Sequence, residues 1–78
     1  MSELGAFILI QTKVGSERNV YGRLADLEEI ERVYELFGEW DIIARIKVDN
    51  VGQLDGFVSE TVRNIEGVTL TSTIIISR

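Results

Sequence analysis

Positions 6–14 read AFILIQTKV, which puts Phe7 and Leu9 on one side of an extended chain and Ile8, Ile10, Thr12 and Val14 on the other. Successive side chains of a strand point to opposite faces, so this segment predicts a strand that is apolar on both sides. Gly15-Ser16 breaks the run and Ser16 is placed to cap a helix. Val20, Leu24 and Leu27 follow at i, i+4 and i+7, which predicts an amphipathic helix over 17–28. Positions 30–37 (IERVYELF) alternate around Val33 and Tyr34, and Gly38-Glu39 turns the chain into 41–49 (DIIARIKVD). The two runs predict a β-hairpin. Asn50 with Gln53 three positions on has the form of a capping box, and Val51, Leu54, Val58, Val62 and Ile65 keep helical spacing to about residue 64. Gly67 marks the exit of this second helix. The run 68–77 (VTLTSTIIIS) is rich in β-branched residues and alternates Thr69, Thr71, Thr73 against Leu70, Ser72, Ile74, which predicts a fourth strand.

The predicted order is βαββαβ, and its halves resemble each other. Lys13-Val14 recurs as Lys47-Val48 and Ile30-Glu31-Arg32-Val33 as Ile65-Glu66-Gly67-Val68, at offsets of 34 and 35 residues. Two split βαβ units interleave into a ferredoxin-like α+β sandwich, a four-stranded antiparallel sheet with both helices on one face. The other sheet face then has no helix to cover it. The first strand is apolar on both sides, and Ile43 stands opposite the Ile42, Ala44, Ile46, Val48 face, so the bare face is expected to carry an apolar patch met by a partner sheet.

Length and composition sharpen that expectation. Seventy-eight residues leave room for one domain, spanning 1–78. Folding at this size buries only about 60–65% of the unfolded surface, a thin core for a chain that is 45% apolar, which again favours association. The chain has no cysteine and no histidine, so it lacks thiolate and imidazole metal ligands and the side chain that ordinarily titrates near neutrality. Catalysis is therefore not expected, and no cofactor is implied. A net charge of -5 repels phosphate backbones, so direct DNA binding is not expected either. The early apolar run 6–10 is too short for a signal core or a membrane span, and 1–5 carries no basic residue; the expected location is cytoplasmic, away from membranes.

A ferredoxin-like topology hosts unrelated functions, so sites must discriminate. An RNA-recognition module would show aromatic residues among basic ones on its central strands, and no such run is present. A metal carrier would need Cys-x-x-Cys where this chain has Val14-Gly15-Ser16-Glu17, which excludes that class. Gly15-Ser16-Glu17-Arg18 has the glycine and arginine of a phosphate loop, as in an acylphosphatase. Glu17 and Asp26 would oppose an anion there and no strand asparagine could orient water, so Arg18 reads as a solvated helix-start residue. Gly38-Glu39-Trp40-Asp41 admits two readings. It is a tight turn in which Gly38 takes positive φ, Trp40 packs on an edge and Asp41 caps, or it is a binding loop whose backbone N–H groups receive an α-carboxylate while Asp41 faces an α-ammonium. Thr69, Thr71, Ser72 and Thr73 add hydroxyls that donate and accept.

The turn Gly38-Glu39-Trp40-Asp41 running into IIARIKVD, with the closing stretch 65–76 (IEGVTLTSTIII), resembles the C-terminal effector domain of the Lrp/AsnC family, the RAM domain. The shared features are G-x-aromatic-D after the second strand and G-V-x-x-T-x-T before a branched aliphatic run. The resemblance implies dimers built by packing two sheets face to face, and dimers assembled into rings, commonly of four dimers as an octamer. It also implies a free amino acid effector lodged between dimers against the loop joining strands two and three. Carried over, the ligand-binding residues are Gly38, Glu39, Trp40 and Asp41, with Thr71 and Thr73 from the last strand. Trp40 stands where Tyr or Phe is common in the family. The family's usual helix-turn-helix has no counterpart upstream of residue 4, so the chain resembles stand-alone members, which bind an effector, modulate a full-length relative by mixed assembly, or both. The expectation is a non-enzymatic, amino-acid-binding regulatory and oligomerisation module. The alternative is a small dimeric α+β-barrel enzyme of the monooxygenase or isomerase type, which shares the face-to-face dimer but generally needs a titratable group in an internal cavity.

Overall fold

In a computed structural model describing residues 3–76, β1 (Leu4–Thr12) and β3 (Ile42–Val48) are the central strands of a four-stranded sheet, flanked by β2 (Ile30–Glu35) and β4 (Val68–Ile75). All three strand pairings are antiparallel in the order β2-β3-β1-β4. The chain passes from β1 through helix α1 (Glu17–Ala25) to β2, and from β3 through helix α2 (Val51–Glu60) to β4, each time stepping over one strand. This is the interleaved pair of βαβ units expected from the sequence. The most apolar strands take the centre, because there both edges are paired and one face lies under the helices. Ala6, Ile8 and Ile10 of β1 and Ile42, Ala44 and Ile46 of β3 have no exposed surface, and all of them but Ala44 share one cluster with Val20 and Leu24 of α1 and Leu54 and Val58 of α2. Each large side chain buried this way contributes roughly 1.5–3 kcal/mol.

Element ends depart from the sequence pattern where long-range hydrogen bonds override it. The first strand begins at Leu4, earlier than expected, because Gly5 pairs with Lys47 and its carbonyl accepts from Ile76 N at 2.9 Å. It ends at Thr12, where a register shift and the bond from Lys13 N to the Gly67 carbonyl (2.8 Å) turn the chain away; Val14 is then fully exposed instead of continuing the buried face. Ser16 does not cap α1 with its side chain, since its φ of -101° and ψ of -2° are already helical and not the extended geometry of a reaching cap. The first helix stops at Ala25, and Leu27 packs on the core from a turn. The second helix stops at Glu60, and Val62 and Ile65 reach the core from a 3-10 turn (Val62–Asn64) beyond it. Its start follows the predicted capping box by half: Asn50 Oδ1 accepts from Gln53 N at 2.8 Å, while Gln53 Oε1 accepts from Asp49 N, one residue before the cap, in place of the cap's own N–H. The final strand is described to Ile75; Ser77 of the expected run lies outside the described residues.

The sheet face away from the helices is apolar through its middle. Cross-strand partners share a face, so Tyr34, Ile43 and Leu9 form one row and Phe7 with Ile74 the next, with Leu70 beside Gln11. Tyr34, Leu70 and Ile74 are each about half exposed. One corner is charged. Arg45 lies over the Phe7 ring at 5.7 Å, and Glu31, at the irregularity in β2, ties Arg45 (3.3 Å) to Lys47 (3.5 Å). That bridging offsets the repulsion of Arg32 and Arg45, which stand directly opposite each other.

Candidate functional site

Two loops meet at one end of the sheet. The first leaves β1 and enters α1, turning at Gly15; the second joins β2 to β3 and turns at Gly38, whose φ of 140° is open to glycine and strained for other residues. Leu36 N donates to the Asp41 carbonyl at 2.8 Å and closes the second loop into a compact turn over 36–41. Leu36 and Phe37 therefore leave the sheet, although their alternation with Val33 and Tyr34 predicts strand. The turn is bolted to β1 from both sides. Asp41 N donates to the Ile10 carbonyl at 3.0 Å, Asp41 Oδ2 accepts from Thr12 N at 2.8 Å and from Thr12 Oγ1 at 3.4 Å, and Gln11 Nε2 donates to the Glu39 carbonyl at 2.8 Å.

The loops enclose a cleft of about 540 Å³, within the roughly 300–1,000 Å³ typical of small-ligand sites. Gly15, Glu17 and Arg18 form one wall; Glu35, Leu36, Phe37, Gly38 and Asp41 form the other. Glu17 is held by its own turn, accepting from Gly15 N at 3.1 Å. The chemistry of the lining is mixed: one guanidinium, three carboxylates and an apolar lip. A molecule with separated positive and negative groups and a compact body matches it, because each charge finds an opposite partner.

Of the six residues picked out by sequence, Gly38 and Asp41 line this cleft. Glu39 and Trp40 belong to the same turn without lining it. Thr71 and Thr73 do not join them: Thr71 pairs with Ile10 and Thr73 with Ile8, so the whole of β1 stands between them and β3. Thr71 instead borders a shallow depression of about 160 Å³ with Arg63 and Thr69. Asp41 is also less free than a binding carboxylate would be, since one of its oxygens anchors the turn. Gly15, Glu17 and Arg18 were weighed only as a phosphate loop, with Arg18 read as a solvated helix-start residue, and Glu35, Leu36 and Phe37 were not anticipated as site residues. The available signal was the pair of glycine turns, Gly15 and Gly38, which the antiparallel register of β1 and β3 brings to the same end.

The chain matches the model of the Lrp/AsnC ligand binding domain over residues 5–78. It belongs to that family. It is 39% identical over 71 residues to the HTH-type transcriptional regulator FL11 of Pyrococcus furiosus, covering 91% of this chain and 46% of that protein. The chain thus spans about half the length of the curated relatives it matches. Among solved structures, FFRP-DM1 superimposes with a TM-score of 0.88 at 36% identity, covering 94% of this chain and 97% of that one. A feast or famine regulatory protein from M. tuberculosis, complexed with L-methionine, gives a TM-score of 0.83 at 25% identity, covering 96% of this chain and 50% of that one. The ferredoxin-like α+β fold and the Lrp/AsnC resemblance are thereby established, and membership of a ligand-binding regulatory family stands against the barrel-enzyme alternative. Among the described residues, no helix is long and apolar enough to cross a membrane.

Proposed function

We propose that residues 1–78 act as one non-catalytic effector module that binds a free amino acid in the cleft between the β1–α1 and β2–β3 loops. The observation that carries this reading is the coincidence of family and geometry: the β2–β3 turn, with the G-x-aromatic-D motif, lines a cleft large enough to take an amino acid and holding Arg18 on one wall and Glu35 and Asp41 on the other. Arg18 is the partner for an α-carboxylate, and the facing carboxylates receive the α-ammonium. The L-methionine complex of the M. tuberculosis relative supports the ligand class.

The bare sheet face supports the assembly half of the proposal. Phe7, Leu9, Ile43, Tyr34, Leu70 and Ile74 form an apolar surface that a second copy would bury, giving a dimer that assembles further into a ring such as an octamer. FFRP-DM1, nearly the same length as this chain, supports a module that acts alone; the HTH-type name of the Pyrococcus relatives supports mixed assembly with a full-length, DNA-binding regulator in the cytoplasm.

Thermal shift against the twenty amino acids tests the ligand. An amino acid at 100 times its dissociation constant adds about 2.7 kcal/mol, which for a domain of this size raises the midpoint by roughly 10 °C or more. Arg18→Ala should abolish the shift while leaving the unliganded midpoint within a few degrees. A flat response across all twenty refutes the amino-acid reading.

A further inference from the structure

The cations of this acidic chain are unevenly spread. Three of the eight, Arg32, Arg45 and Lys47, gather at one corner of the bare sheet face, where with Glu31 they line a shallow depression of about 510 Å³. β3 leaves the Gly38 turn and reaches Lys47 one residue before its end, so the corner lies toward the opposite end of the sheet from the cleft. Its register is unfavourable as it stands. Ile30 pairs with Ile46, so a regular antiparallel ladder would set Glu31 opposite Arg45; the irregularity in β2 sets Arg32 there instead. Like charges directly opposite each other destabilise a sheet. Ile30 and Val33 both pack on the core, which accounts for the extra residue in the strand but not for an arginine at 32.

Glu31 answers only part of this charge. Its Oε1 is 3.3 Å from Arg45 Nε and its Oε2 is 3.5 Å from Lys47 Nζ, while Glu3, which is largely exposed, touches Lys47 alone at 3.8 Å. Among the described residues, Arg32 enters no ion pair. Arg45 is held through Nε and by the Phe7 ring at 5.7 Å, and its terminal N–H groups remain available on the same face as the guanidinium of Arg32.

We propose that this corner is a second binding site, separate from the cleft, which takes the phosphate group of a small molecule between Arg32 and Arg45. A guanidinium presents its N–H groups in a fork that matches phosphate oxygens, and two of them balance a phosphate dianion. Such an anion removes the repulsion that the register creates. Glu31 is a positioning residue, because its hold on Nε fixes the plane of the Arg45 guanidinium. The occupant is small: only three cations gather here, and a net charge of -5 repels a polyanion that runs on past the corner. Nothing in this site depends on the amino-acid reading of the cleft.

The test is calorimetric titration of the full chain with inorganic phosphate, in chloride buffer at constant ionic strength. Binding should saturate at one phosphate per chain. Arg32→Gln should weaken it about tenfold or more, and Arg32→Lys, which keeps the charge without the fork, should weaken it less. Arg63→Gln removes the same charge from another part of the surface and should leave the affinity unchanged. Without phosphate, Arg32→Gln should melt no lower than wild type, since it relieves a like-charge pair, and its light-scattering mass should be the same. Titration with glycerol 3-phosphate separates the two sources of the group: tighter binding than inorganic phosphate assigns the site to a phosphate ester, and equal binding assigns it to the free ion. Heat that does not saturate, or that is the same in Arg32→Gln, overturns the proposal. So does an Arg32→Gln chain that loses assembly mass while its phosphate titration stays like wild type, because the corner is then a contact for another protein chain.

Discussion

Gly67→Ala should be among the most damaging small substitutions in this chain, and the structure supplies its size. Gly67 has φ of 103°, a conformation that costs a residue with a Cβ about 1–3 kcal/mol. The added methyl would also sit 2.6 Å from Ser16 Cβ, 3.0 Å from Ser16 Oγ and 3.2 Å from Val20 Cγ2, well inside the roughly 3.5–4.0 Å of carbon contacts. Overpacking of that kind costs about 1–3 kcal/mol more. The expected loss of about 3–4 kcal/mol is a large part of the ~5–15 kcal/mol that holds a domain together, and it would lower the midpoint by roughly 15–25 °C. Urea unfolding at fixed protein concentration, followed by circular dichroism, measures it. The two causes separate in a double-mutant cycle with Ser16→Gly, which removes the side chain in the way. Alone, that change should cost little in capping, because the Ser16 hydroxyl makes no cap bond. In the double variant at least about 1 kcal/mol should return while the backbone cost stays. A Gly67→Ala chain within about 0.5 kcal/mol of wild type, or a cycle without coupling, would refute the argument. Function should suffer with stability, because the Gly67 carbonyl holds Lys13 N at 2.8 Å and so positions the loop bearing Glu17 and Arg18.

Three further outcomes follow from the same geometry. Leu9→Arg places a charge in the middle of the bare face and should reduce light-scattering mass to that of a single 8.8 kDa chain, with the monomer's secondary structure retained. Asn50→Ala removes the acceptor for Gln53 N and should cost about 1 kcal/mol in urea unfolding without affecting the cleft, as expected for loss of an N-cap. With a net charge of -5, the purified chain should not retard DNA in a gel at physiological salt; a shift that weakens steeply with added salt would contradict this.

The sequence by itself determined the kind and order of the elements, because the side-chain periods of strand and helix are local properties. Ile8 and Ile10, or Val20 and Leu24, declare their buried face within one segment, and the Asn50-Gln53 pair is a local capping arrangement that forms largely as read. The bare face was legible too, since a first strand apolar on both sides cannot bury both under two helices. Where elements end, and what stands beside what, was decided by contacts between distant segments. Phe37 continues a strand pattern, yet Leu36 N finds Asp41 O and the chain turns before it. Ser16 has the right chemistry for a cap and the wrong backbone angles, because the loop it belongs to is tied to Gly67. Thr71 and Thr73 share a motif with no sign that β1 lies between them and the turn. Arg18 and Glu35 are separated by 17 positions in the chain and share a cleft only because antiparallel pairing of β1 with β3 brings their loops to the same end. A linear pattern records which face of its own element a residue occupies; its neighbours across the sheet exist only once the strands have paired.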